Sequence, residues 1–164
     1  MDRIDTEVSG GCQCGAVRFH ASAMLDNSHI CHCRMCQKAV GNFFAALVAA
    51  PKEAVTWTRG TPAVFLSSAE VERGFCARCG TPLFYNGVTS PHINFCTGAL
   101  DEPQRFPPKR QVGMEGLMPW FDTLAGLPDT GTTEAEMPEE AASIAATNHQ
   151  HPDHDTANWP QGDA

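Results

Sequence analysis

No stretch of the chain approaches the roughly 18 consecutive apolar residues that a membrane-spanning helix needs. The opening MDRIDTEVSG holds no apolar signal core either. The sequence therefore reads as cytoplasmic, with no membrane partner. Positive charge is unevenly missing. Residues 129–164 hold eight Asp and Glu and no Lys or Arg, while residues 1–128 hold eleven of each sign. The formal net charge of −8 thus belongs to the tail, and the body is neutral. A neutral body has no broad basic face, so nucleic acid is not an expected partner. Internal repeats are absent apart from a loose echo between two C-x-C segments.

Cysteine is plentiful, with eight in 164 residues. In a secreted chain that count suggests disulfides; in a cytoplasmic chain with C-x-C and C-x-x-C spacings it suggests metal. Cys12 and Cys14, with Cys76 and Cys79, make one set of four thiolates. Each pair supplies half of a tetrahedron from a turn, and a filled site of this kind is structural. Cys31, Cys33 and Cys36, in the run CHCRMC, make a second set of three. One corner of that tetrahedron is unassigned, and an open corner is where water or substrate binds in reactive zinc sites. His29, His92 and Cys96 are candidates to fill it. With Cys96 in place the chain holds two structural zincs; otherwise the second site is open. His32 lies inside the loop, where adjacent residues seldom reach one ion. Arg34 and Lys38 flank the run and can offset the charge of three thiolates.

The length fits one domain and a tail: a polar lead-in over 1–9, a zinc-containing domain over 10–128 and an acidic, disordered tail over 129–164. Short strands are expected over 16–20, 55–58, 64–67, 71–75, 82–85 and 92–98, with a late strand and loop over 111–118. If the first strand reaches back to Cys12, then Cys12 and Cys14 share a face. Residues 37–50 are ambiguous between strand and buried helix, with strand favoured for the second half and Pro51 as its stop. Cys76–Gly80 reads as a knuckle. Pro119-Trp120-Phe121 is expected to pack on the body. Short strands between Gly and Pro turns point to a mainly β domain. The tail has little apolar surface to offset its ordering entropy, although 134–146 has nascent helical character. Its His149, His151 and His154 read as solvated.

The order GGCQCGAVRF, CHCRMCQKAVG, GFCARCGTPLFY, TGALDEP and PWFDTLAGLP resembles the glutathione-dependent formaldehyde-activating (GFA, or CENP-V/GFA) family over about residues 10–128. The resemblance implies a single-domain β-tent, Mss4-like fold with two zinc ions. It implies Cys12, Cys14, Cys76 and Cys79 as ligands of a structural zinc, and Cys31, Cys33 and Cys36 as ligands of a catalytic one. It also implies a carbon–sulfur lyase that joins glutathione, as co-substrate, to formaldehyde, with a zinc-bound thiolate as nucleophile. Its partners are then a small thiol and a small aldehyde. No general acid stands out; Tyr85, His32 and His92 are the candidates. The competing expectation is a zinc-stabilised protein-interaction module of the same fold, with the acidic tail as recruiting element.

Overall fold

The structure, a computed structural model, describes residues 1–159. The end of the expected disordered tail, residues 160–164, lies outside the described residues. The chain runs through β1 (Arg3–Ile4), β2 (Val8–Gly11), β3 (Arg18–Ala21), β4 (Met24–Leu25), β5 (His29–Cys31), helix α1 (Arg34–Val40) and β6 (Ala45–Pro51). It continues through β7 (Val55–Arg59), β8 (Ala63–Ser68), β9 (Val71–Phe75), β10 (Pro82–Gly87), β11 (His92–Cys96) and β12 (Arg110–Val112). Helices α2 (Thr133–Glu136) and α3 (Pro138–Thr147) follow. The fold is a single, mainly β domain. Among the described residues no helix is long and apolar enough to cross a membrane.

Seven strands form one sheet in the order β12-β5-β6-β11-β10-β9-β8, and β2-β3-β7 form a smaller one. All pairings in the large sheet are antiparallel except β5 with β12, which run parallel with Cys31 opposite Val112. The two sheets meet through aromatic rings. Phe19 on β3 stacks on Phe95 on β11, with centroids 3.9 Å apart, and Trp57 on β7 meets Phe19 edge-on at 5.8 Å. Phe19 and Phe95 are fully buried. Burying each such side chain contributes about 1.5–3 kcal/mol. This contact brings the β2–β3 turn and the β9–β10 turn to the same end of the molecule.

The ambiguous stretch 37–50 divides. Its first residues belong to α1, which ends at Gly41 in the left-handed region (φ 65°), and its second half is β6. Pro51 is the last residue of that strand, opposite His92. Cys12 and Cys14 lie in a turn, not on one face of a strand. The Cys12 N–H donates to Val17 O at 2.9 Å and the Gly15 N–H donates to Cys12 O at 3.0 Å, which curls the chain before β3 begins. The lead-in and the connector also pair with each other, as β1 with β4.

The described tail differs from a uniformly solvated segment. Helices α2 and α3 are exposed, with Thr132 Oγ1 accepting the Ala135 N–H at 3.3 Å as a cap. Residues 151–159 then return to the body. The His151 N–H donates to Gln13 O at 2.7 Å, and Trp159 Nε1 donates to Cys14 O at 2.8 Å. Arg18 Nη2 donates to Asp155 Oδ1 at 2.7 Å. The physical reason is Arg18 itself. Its side chain is 3% exposed. A buried guanidinium needs carboxylate partners; Asp101 supplies one and the tail supplies the other.

Candidate metal centres

The first centre is built from two turns. Cys12 and Cys14 come from the turn between β2 and β3. Cys76 and Cys79 come from the knuckle between β9 and β10, closed by the Gly80 N–H donating to Cys76 O at 2.9 Å. The Gln13 N–H donates to Thr81 Oγ1 at 3.0 Å and ties the turns together. All four Sγ atoms lie within 4.8 Å of one another. Cys12 and Cys14 Sγ are 3.6 Å apart, and Cys14 and Cys76 Sγ are 3.9 Å apart. A disulfide needs about 2.05 Å. A tetrahedron with 2.3 Å zinc–sulfur bonds has an edge of about 3.8 Å. The spacing is that of ligands around an ion.

The protonation pattern fits the same purpose. Burial, with the Cys76 and Cys14 thiols beside it, pushes the Cys12 thiol up to about 12. Burial raises Cys79 too, but the Thr81 hydroxyl and backbone N–H, with the Cys14 N–H and thiol, bring it down to about 6. Four crowded thiols do not all ionise without a cation among them. A divalent ion removes that conflict.

The second centre gathers Cys31 at the end of β5, Cys33 at the N-cap of α1 and Cys36 in its first turn, with all three Sγ atoms within 4.8 Å. A strand that stops at Cys31 and a helix that starts at Arg34 bring the three thiols together. Burial pushes Cys31 up to about 12 and raises Cys36. Burial acts the same way on Cys33. There the Cys36 N–H, the Cys36 and Cys31 thiols and the Met35 N–H prevail and lower it. Cys33 is the thiol held readiest to ionise.

Cys96 does not fall within this group, nor within the other. It stands at the end of β11 opposite Leu47, and burial holds its thiol up to about 12. His92 begins the same strand opposite Pro51, about 13 Å away along the chain. His29 turns its Nδ1 to Asn27 O at 2.7 Å. His32 is fully buried, with its ring edge-on to Phe121 at 4.7 Å and Nε2 donating to Gln111 Oε1 at 2.7 Å. Phe121 and Trp120, which meets Phe43 at 5.2 Å, pack on the body as expected.

The cation on the second centre is Arg73, not Arg34 or Lys38, which are both exposed. Arg73 Nη2 reaches Cys36 Sγ at 3.6 Å, and its guanidinium lies over the Tyr85 ring at 5.3 Å. Gln37, also missed from the sequence, is 2% exposed. Its Nε2 donates to Gly116 O at 2.7 Å and Phe43 O at 3.1 Å, which pins the 113–116 loop beside α1. Beside the centre opens a cavity of about 390 Å³ with Arg73, Tyr85 and Cys96 in its wall. Its only sequence signal is that Cys36, Ala39 and Val40 share one helical face.

Residues 7–115 match the sequence profile of the family described as glutathione-dependent formaldehyde-activating enzyme. An uncharacterized lyase of Schizosaccharomyces pombe is 31% identical over 91 residues, 54% of this chain. The match spans 66% of that relative's own length, just short of two thirds. The crystal structure of a Rhodobacter sphaeroides protein aligns over 63% of this chain and 99% of its own, with a TM-score of 0.53 and 19% identity, a likeness of fold alone. The profile covers well over half the chain and embraces all seven clustered cysteines, and on that basis the chain belongs to the glutathione-dependent formaldehyde-activating enzyme family.

Proposed function

We propose that this chain is a zinc-dependent carbon–sulfur lyase, similar to S-(hydroxymethyl)glutathione synthase. It makes and splits adducts of a small thiol, with glutathione as the expected co-substrate, and formaldehyde or another small aldehyde. Cys12, Cys14, Cys76 and Cys79 hold the structural ion. Cys31, Cys33 and Cys36 hold the catalytic one. The observation that carries this reading is the incomplete donor set: three thiols converge, and the nearby Cys96 is outside their group. The family and the lyase-named relative support the reaction class.

Cys31, Cys33 and Cys36 would hold the ion, which would lower the pKa of an incoming thiol there. The chain's own groups do the rest. Cys33 enters as the most acidic of the three ligands. Arg73 lies against Cys36 and offsets negative charge that a fourth sulfur increases. Burial raises the Cys96 thiol, which disfavours its thiolate as a competing nucleophile. In the addition a C–S bond forms, the carbonyl π pair moves onto oxygen, and the proton lost from sulfur ends on that oxygen. The lyase direction is the reverse.

The test is metal content per chain, with and without glutathione, beside the absorption spectrum of the cobalt-substituted protein. Two ions per chain and a thiol-dependent spectral change are expected. A spectrum indifferent to thiol leaves a scaffold and no lyase.

A further inference from the structure

The cavity lies beside the second centre and shares wall residues with it, although Cys31, Cys33 and Cys36 themselves do not line it. Cys31, Cys33 and Cys36 pack in one apolar cluster with Val40, Ala45, Leu47, Tyr85 and Cys96, and Cys96 also packs against the main core. Five members of that cluster, Val40 to Cys96, also line the cavity. At about 390 Å³ it lies in the range of roughly 300–1,000 Å³ usual for small-molecule pockets. Formaldehyde, with two heavy atoms, leaves most of such a space to water.

The wall also has the wrong polarity for the glutathione backbone. That tripeptide carries two carboxylates and an ammonium group. Among the described residues lining the cavity there is no acidic side chain to meet an ammonium, and Arg73 is the single cation. Arg73 is already engaged: Nη2 on Cys36 Sγ at 3.6 Å, Nε on Ser67 Oγ at 3.3 Å, one face on Tyr85. What remains is aliphatic and aromatic. At the lip stands Phe65, 62% exposed, beside Leu66 and Val64, which are also open to solvent. An apolar wall one helical turn from the Cys36 sulfur suits the organic group of the carbonyl partner.

We infer that the aldehyde handled at this centre carries an aliphatic or aromatic group that fills the cavity, and that formaldehyde is the poorer substrate. The inference rests on the lyase reading above. The thiol adds across the carbonyl with the same balance of bonds and protons, and no oxidant or reductant is involved. Each methylene taken from water into such a wall favours binding by about fourfold, so a six-carbon aldehyde has ample margin over formaldehyde.

The full chain, loaded with zinc, is mixed with glutathione and either formaldehyde or hexanal. Exchange between aldehyde and adduct is followed by NMR, and hexan-1-ol, which has neither thiol nor carbonyl, is tested for binding by saturation transfer. The expected result is enzyme-dependent exchange at least tenfold more efficient for hexanal, with saturable binding of hexanol. Val40→Trp, which fills the cavity, abolishes hexanol binding and brings the two aldehydes within about threefold. Phe65→Ser, at an exposed position, weakens hexanol by at least threefold. Exchange with formaldehyde as fast as with hexanal, or no hexanol binding, overturns the inference and leaves the lyase reading intact. No exchange with either aldehyde overturns both.

Discussion

Arg73 on β9 and Cys36 on α1 are 37 residues apart in sequence, yet Nη2 of one lies 3.6 Å from Sγ of the other. Three thiolates on a divalent cation leave one net negative charge, and a fourth thiolate makes two. Replacing Arg73 by Gln keeps a polar side chain and removes the counter-charge. A charge-assisted hydrogen bond of this kind is worth about 1.5–3 kcal/mol. The glutathione midpoint of the cobalt spectrum is therefore expected to rise at least about tenfold in Arg73→Gln. Arg73→Lys recovers part of the loss because the charge returns without the planar fork. An unchanged midpoint in Arg73→Gln denies the residue this role.

The two cysteine groups share no residue, so the two proposed ions should fail separately. Cys33→Ser removes the N-cap thiol of α1 and is expected to reduce metal content from two ions to one, with the cooperative thermal transition largely kept. Cys14→Ser opens the joint between the β2–β3 turn and the β9–β10 knuckle. Its transition should fall by many degrees, since metal held only by the folded state adds directly to folding free energy. Elemental analysis read beside thermal unfolding separates the outcomes. Equal loss of both ions from Cys33→Ser contradicts independent roles.

Both sets of cysteines were legible before any fold, because C-x-C and C-x-x-C spacings constrain ligand geometry locally. Most strands were legible for the same kind of reason: alternation and Gly or Pro stops are short-range signals. What escaped was whatever depends on which strands become neighbours. Arg73 reads as one more charged residue in VERGF until sheet order brings β9 beside β10 and turns its side chain toward α1. Cys96 was undecidable for the same reason, since ligand and wall residue differ by a few ångströms and not by spacing. The return of residues 151–159 was hidden by composition. Counting apolar surface in the tail ignored the buried Arg18, which is a binding site for an acidic segment.

That returning segment makes a prediction about the first centre. Trp159 Nε1 donates to Cys14 O and the His151 N–H to Gln13 O, so the tail covers the turn that holds two ligands. Asp155→Asn should let a chelator strip the first ion several-fold faster, while the glutathione response of the second centre stays as it was. Burial alone raises the Asp155 carboxyl, but the Arg18 and Ser9 hydrogen bonds hold it below its ordinary value. A depressed carboxylate contributes stability that is complete above its ordinary value, about pH 4, and is lost as pH falls through the lowered value. The hydrogen-exchange protection of residues 151–159, taken relative to the intrinsic rate at each pH, should therefore fall in the parent chain below about pH 4. Protection should be low at every pH, with no such step, in Asp155→Asn.

The loop after β12 tests how tightly the second centre is held. Gly113 has φ 66°, and a Cβ there would stand 2.7 Å from the Cys33 nitrogen and 2.9 Å from its Cβ. Gly113→Ala therefore adds two costs: a left-handed backbone of about 1–2 kcal/mol, and a collision with the residue that carries the most acidic thiol. Gly41, at the end of α1, has φ 65° and nothing within 4 Å of the position a Cβ would take. Gly41→Ala carries the first cost without the second. Both variants should unfold at a lower temperature by similar backbone penalties. Only Gly113→Ala should also release the second ion at least tenfold more readily to a chelator, because relief of the collision moves Cys33 or lifts the loop that Gln37 pins through Gly116 O. Equal metal retention in the two variants means that the loop merely covers the ligands and does not position them.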